Sequence, residues 1–170
     1  PEEQPSYPAE WLFCTRCKLV QLGAIVDPKI LFPPEYPYTS STTKVLRENF
    51  AQLYREVSRM LNLKSNDLVV DIGSNDGNLL SNFVGKHKVL GVTPEEIGKL
   101  AREKGIDTII DFFTADVVKK IIKDKGHAKI VTATNVFAHM ENIHEVIENI
   151  KRLLLPNGVF ISESHYLYSL

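Results

Sequence analysis

Between residues 68 and 84 an apolar run, Leu68-Val69-Val70, passes through Asp71-Ile72-Gly73-Ser74-Asn75-Asp76-Gly77 into an apolar-periodic segment carrying Leu79, Leu80, Phe83 and Val84. The order reads as strand, tight glycine turn, helix, and it commits the chain to an α/β fold. At the carboxyl end of a first parallel strand such a turn lies where open α/β sheets bind ligands, and glycine lets the backbone approach a ligand closely.

The residues of the turn narrow the choice of ligand. A dinucleotide fingerprint requires Gly-x-Gly-x-x-Gly, but Asn75 and Asn78 stand where the second and third glycines belong. A phosphate-binding P-loop requires a Lys-Ser/Thr pair, which is absent. What remains is acidic: Asp71 closes the strand and Asp76 lies inside the loop. Two carboxylates repel a pyrophosphate and suit a ligand carrying a sulfonium and an ammonium, which describes S-adenosylmethionine. Asn75 is among the few non-glycine types that visit left-handed backbone at low cost. A structural turn without a ligand is the competing reading for this loop taken alone.

The rest of the chain repeats the alternation. Leu46, Phe50, Leu53, Val57 and Met60 recur at steps of three and four, predicting a long amphipathic helix from residue 44 with Ser40, Ser41 and Thr42 as candidate caps. Strand-length apolar runs follow at 67–72, 88–92, 107–110, 129–133 and 158–162. Between them, Pro94 and Gly105, Thr114 and Gly126, and then Asn142 with Glu145 mark helix starts and stops. Alternating strands and helices predict a parallel sheet covered on both faces.

Twenty basic and 21 acidic residues are interspersed, leaving a net charge of -1 and no footprint for nucleic acid or an anionic membrane. No apolar run reaches the length of a membrane span and the first residues do not read as a signal peptide, so the expected location is the cytoplasm. Residues 1–43 differ in kind: they hold both cysteines, the single Trp and most of the prolines. Cys14-Thr15-Arg16-Cys17 has the spacing that supplies two thiolates to tetrahedral zinc. A redox pair is the alternative, but the motif does not open a helix after a strand. Half of a zinc ribbon is the better reading, with zinc held only if further ligands are supplied.

Taken in order, several motifs resemble the bacterial sugar C-methyltransferases, class I S-adenosylmethionine-dependent enzymes acting on nucleotide-linked keto-deoxysugars. They are Cys14-x-x-Cys17 with Lys18 to Leu22, Leu31-Phe32, and Tyr36 to Ser41. They continue through Asp71 to Gly77, Asp111-Phe112-Phe113, Ala133 to His139, and Gly158 to Glu163. The resemblance implies a Rossmann-like class I methyltransferase sheet, incomplete here, with a small N-terminal cysteine-containing lobe. It divides the chain into a partial zinc-ribbon-like lobe and lid segment at 1–43 and an S-adenosylmethionine-binding domain at 44–170. It also implies that an upstream cysteine pair, the last strands of the sheet and a C-terminal domain lie outside these residues.

The same resemblance assigns roles. Asp71, Gly73, Ser74, Asn75 and Gly77 would hold the cofactor at the first strand, and Asn135 at the fourth. Thr93 stands where the class usually has a carboxylate for the ribose hydroxyls, and a neighbour, Glu95 or Glu96, would take over that task. Asp111, Phe112 and Phe113 fall at the adenine pocket, with at least one of the two rings serving the core. Making a carbon nucleophile from a 4-keto sugar requires a base for the acidic C–H and donors for the enolate oxygen. His165 or Tyr166 is the expected base, His139 and Glu163 the positioning and enolate-stabilising groups, and Tyr38 part of the lid or sugar contact. The partner is then a small nucleotide-linked sugar, with neither nucleic acid nor membrane, and an early-ending sheet would favour a homodimer. Two other readings stand beside this one: a module that binds S-adenosylmethionine without catalysis, and a non-enzymatic interaction module built on the cysteine lobe.

Overall fold

The computed structural model describes residues 5–165, and the chain divides into two compact units between Leu31 and Phe32. In the first unit β1 (Trp11–Phe13) and β2 (Val20–Leu22) pair antiparallel with Trp11 opposite Leu22, and the short α1 (Pro28–Leu31) follows. The cysteine knuckle is the turn of this hairpin. Lys18 takes a left-handed φ of 64° there, and its N–H donates to the Cys14 carbonyl at 2.8 Å.

The second unit opens with a 3-10 turn at Ser40–Thr42 and α2 (Lys44–Leu61), followed by β3 (Leu68–Ile72) and β4 (Lys88–Thr93). Then come α3 (Gly98–Glu103), β5 (Thr108–Ile110), α4 (Ala115–Lys125), β6 (Ala128–Thr134), α5 (Ile143–Leu153) and β7 (Leu154–Glu163). The five strands β3 to β7 form one sheet in the order β5-β4-β3-β6-β7, every neighbouring pair parallel. The chain builds outward from β3 to β5 on one side and then returns to place β6 and β7 on the other. That reversal opens a crevice at the carboxyl ends of β3 and β6, the general ligand position in such sheets.

Side chains alternate across β3 and divide the core in two. Leu68, Val70 and Ile72 join Val118, Ile121, Ile150 and Leu153 from α4 and α5. Val69 faces the other way, among Phe50 and Val57 of α2 with Leu79, Leu80 and Phe83. Asp71 lies on that second side by the same alternation, so an acidic residue stands one place from the end of a strand whose five residues are all buried.

Three local expectations change. The segment after the glycine turn is not a full helix but a 3-10 turn at Leu80–Asn82, because Asn82 donates its amide to the carbonyls of Asn78 and Leu79 and Gly85 turns out at φ 77°. Helix α2 is capped by none of Ser40, Ser41 or Thr42, since these form their own 3-10 turn; Thr43 occupies the cap position without a side-chain bond. Helix α3 begins at Gly98 rather than at Pro94. The other two starts are as the sequence predicts: Thr114 accepts from the Val117 N–H at 3.3 Å, and Asn142 from that of Glu145 at 3.4 Å.

Candidate active site

A cleft of about 650 Å³ lies at the crevice, between the β3 turn, the end of β6 and the segment running from Phe32 into α2. Nine of the residues singled out from the sequence as site candidates line it: Tyr38, Asp71, Gly73, Ser74, Asn75, Glu95, Asn135, His139 and His165.

The turn is shaped by three left-handed residues, Gly73 at φ 71°, Asn75 at φ 50° and Gly77 at φ 77°. A Cβ on Gly73 would lie 2.8 Å from Val136 Cγ2, so the glycine is required by its packing partner across the crevice as much as by any ligand. The Ser74 hydroxyl is buried and has no partner among the described residues. Gly91 on β4 makes room for it, since a Cβ there would come within 2.4 Å of Ser74 Oγ. An orphaned buried hydroxyl on a cleft wall is a group that a ligand can satisfy.

Asp71 is 2% exposed and its Oδ1 accepts from the Thr132 hydroxyl at 2.6 Å. Burial pushes its carboxyl up to about 7, the Thr132 bond opposing but not cancelling the effect. A carboxyl poised there gains by ionising next to a cation. Asp76, also in the turn, is fully buried and behaves oppositely. Burial would raise it, but hydrogen bonds from Lys104, Ser41 and Ser40, together with the Lys104 charge, hold it below the ordinary carboxylate range. Lys104 Nζ reaches Asp76 Oδ2 at 2.8 Å and Ser40 Oγ reaches Oδ1 at 2.7 Å. Asn75 adds two bonds to the same segment, accepting from the Ser40 N–H and donating to the Tyr38 carbonyl, each at 2.9 Å. The turn and the segment carrying Tyr38 are thereby fastened into one wall.

Thr93 is fully buried and away from the cleft, and it donates its hydroxyl to Glu95 Oε2. Of the two candidate glutamates Glu95 lines the cleft, whereas Glu96 is exposed and paired with Lys99. Gly77 faces Ile106 and Ala101 instead of the cleft. Asp111 is exposed on a separate groove beside the β5 edge and its Oδ1 accepts from the Phe112 N–H at 2.7 Å. Phe112 is half-buried and does not line the cleft, and Phe113 packs on the core.

At the far wall His139 stands in a 3-10 turn with its ring 5.9 Å from that of Phe32. Glu163 does not line the cleft. Its two carboxylate oxygens accept from Asn49 Nδ2 at 2.7 Å and Asn135 Nδ2 at 2.9 Å, and both asparagines do line it. Tyr166 lies outside the described residues. Among the described residues no group of three or more His, Cys, Asp or Glu is placed to hold a metal. Cys14 and Cys17 stand together in their hairpin turn, where the Cys17 N–H approaches Cys14 Sγ at 3.5 Å and hydrogen bonds from Cys17 and Arg16 hold the Cys14 thiol below its ordinary range.

The sequence alone does not single out Asn49, Ser40 or Lys104 as site residues. Asn49 has no signal within α2, being a lone polar residue beside Val45, Leu46 and Leu53 at the margin of the apolar stripe. Ser40 is hidden by its competing use as a helix cap, and Lys104 by a separation of 28 residues from Asp76.

A methyltransferase domain model matches residues 45–169. The chain is 34% identical over 166 residues to the C-methyltransferase NovU of Streptomyces niveus, covering 96% of this chain and 39% of that protein. It thus spans well under half the length of this curated relative. Among solved structures, an S-adenosylmethionine-dependent methyltransferase from Clostridium acetobutylicum superposes with a TM-score of 0.56 at 18% identity, over 73% of this chain and 52% of that one. CalS10 of Micromonospora echinaspora, an amino pentose methyltransferase solved with S-adenosylmethionine bound, gives 0.52 at 16% identity over 71% and 51%. At such identities the likeness is one of fold, the Rossmann-like class I arrangement.

Proposed function

The chain belongs to the methyltransferase domain family, and on that premise we propose that its cleft takes S-adenosylmethionine and serves C-methylation of a nucleotide-linked keto-deoxysugar through an enolate. The observation that carries this reading is the convergence, at the switch point of the sheet, of the buried Asp71 carboxyl, the unpartnered Ser74 hydroxyl and the Glu95 carboxylate. This donor set fits the cofactor: acids for an ammonium and a sulfonium, and a carboxylate that accepts from two ribose hydroxyls at once. Glu95 thereby takes the task that Thr93 leaves open. The carbon acceptor is supported by the 34% identical C-methyltransferase, and the sugar by the motif order read from the sequence.

When bound, the cofactor supplies a methyl group made electrophilic by its sulfonium. The protein's own task is to present a carbon nucleophile to it. His165, on the cleft wall, takes the proton from the carbon next to the sugar carbonyl, and His139 donates to the oxygen on which the negative charge collects. Tyr38, on the segment fastened to the turn, covers the acceptor. Holding both reactants in one cleft adds the contribution of proximity.

The test is isotope exchange. With S-adenosylhomocysteine bound in deuterated buffer, a nucleotide-linked 4-keto-6-deoxyhexose should gain deuterium next to its carbonyl, and His165→Ala should lose the exchange while keeping cofactor affinity. Cofactor binding with neither exchange nor methylation would favour the second reading, a binding module without catalysis. The 39% coverage of the curated relative is the observation on that side, because groups needed for turnover can reside in the remainder.

A further inference from the structure

We propose that Glu163 is a positioning residue that turns the amides of Asn49 and Asn135 so that both present carbonyl oxygens to the cleft, making a subsite for the hydroxyl-bearing part of the acceptor. The inference rests on the proposed function for the identity of that acceptor, but its geometric core does not.

An ionised carboxylate only accepts hydrogen bonds. Glu163 receives one from Asn49 Nδ2 at 2.7 Å and one from Asn135 Nδ2 at 2.9 Å, so each amide has its NH₂ end committed. The Oδ1 end of each is then turned away from Glu163 and has no hydrogen-bond partner among the described residues. Both asparagines line the cleft, one from α2 and one from the end of β6, with Glu163 at the end of β7 joining them from behind. Without Glu163 either amide could rotate, and the cleft would show a mixture of donors and acceptors.

The backbone marks Asn135 independently. It holds φ 56°, a left-handed conformation that costs a non-glycine residue energy, and its N–H donates to the Glu163 carbonyl at 2.7 Å. Backbone and side chain are therefore both fixed to one residue, as expected where strain is maintained for a site. The electrostatic result is selective. Two carbonyl oxygens in front of a carboxylate favour a ligand bringing O–H or N–H donors and disfavour a phosphate, which offers only acceptors. The sugar end of a sugar nucleotide fits this subsite, and its diphosphate does not. Glu163 thus acts through the asparagines instead of touching the enolate, and Asn135 serves the acceptor in place of the cofactor role that the resemblance gives it.

The test pairs a spectroscopic and a binding measurement on Glu163→Gln. A glutamine supplies one acceptor and one donor group in place of two acceptors, so only one asparagine can keep its orientation. In ¹⁵N-labelled protein, side-chain NH₂ resonances assigned through Asn49→Ala and Asn135→Ala should shift and exchange faster in the variant. Calorimetry should show Glu163→Gln binding S-adenosylhomocysteine as the parent does and binding the bare nucleoside diphosphate equally. Affinity for the matching nucleotide-linked 4-keto-6-deoxyhexose, titrated with and without S-adenosylhomocysteine, should fall about tenfold or more. Unshifted amides, an unchanged sugar-nucleotide affinity, or an equal loss on the bare diphosphate would each overturn the proposal. Failure of the parent to bind S-adenosylhomocysteine would instead remove the cofactor reading, leaving the amide shift and the titration without cofactor to decide this one.

Discussion

Asp71 offers a quantitative test of the site's electrostatics. Its carboxyl is 2% exposed and pushed from 3.8 to about 7 by burial, against a single hydrogen bond from Thr132. Below pH 3.8 folded and unfolded chains both hold the proton. Between 3.8 and about 7 the folded chain holds one proton more, so the contribution of this group to stability falls as pH rises through that window and is lost above it. At 1.36 kcal/mol for each pH unit the whole excursion is roughly 4 kcal/mol. Asp71→Asn keeps an acceptor for Thr132 and removes the titration, but it leaves an amide NH₂ in a site with no partner shown for it, a loss of about 1–3 kcal/mol. The variant should therefore be the less stable protein near pH 4 and match or exceed the parent near pH 8. Urea unfolding at half-unit steps from pH 4 to 8 reads this directly. The parent-minus-variant difference should slope downward by about 1.4 kcal/mol per pH unit at mid-window. A difference that stays flat, or rises with pH, would refute the burial argument and with it the view that Asp71 awaits a cation.

Other consequences follow from single contacts. Gly73→Ala meets both a left-handed φ of 71° and the Val136 side chain, so it should cost about 2 kcal/mol and lower the melting temperature by about 5 °C. Adding Val136→Ala should recover part of that loss, and full recovery would mean the backbone conformation is unstrained. Lys104→Met removes the cation from buried Asp76; with Lys104 itself 44% exposed, about 2 kcal/mol should go. Because Asp76 is held below its ordinary value, its contribution is present above pH about 4 and vanishes on acidification, so the variant should differ most from the parent at neutral pH and converge with it in acid. An equal deficit at every pH would refute that link. Elemental analysis of the purified chain should find close to no zinc, since Cys14 and Cys17 fill only half of a tetrahedral site; one zinc for every two chains would imply a site shared between two chains, and one zinc per chain would refute the reading.

The parallel sheet is legible in the sequence because β3 and β6 carry the short apolar runs Leu68-Val69-Val70 and Ile130-Val131 and because glycine and asparagine punctuate the helices between them. Thr114 and Asn142 each announce a helix by a local side-chain bond, which a sequence displays openly. The segment after Gly77 defeats the same reasoning, since its apolar spacing also suits two short turns and the Asn82 amide that closes them is a local choice not visible in periodicity. For the site, the glycine turn locates the cleft. Partners across it cannot be read from the chain, because Asn49 and Glu163 are 114 residues apart and meet only when α2 crosses the end of β7. Of the two glutamates named from the sequence only Glu95 lines the cleft, and buried Thr93 donates its hydroxyl to it, a choice that spacing along the chain does not display.

If the crevice between β3 and β6 takes an adenosyl cofactor through Asp71 and Glu95, calorimetric titration of the chain with S-adenosylhomocysteine, alongside Glu95→Ala, tests it most directly. Saturable one-to-one binding is expected, weakened about tenfold or more by Glu95→Ala, in line with two lost hydrogen bonds to a charged group. No heat and no thermal shift at millimolar ligand, or binding indifferent to Glu95→Ala, would contradict it.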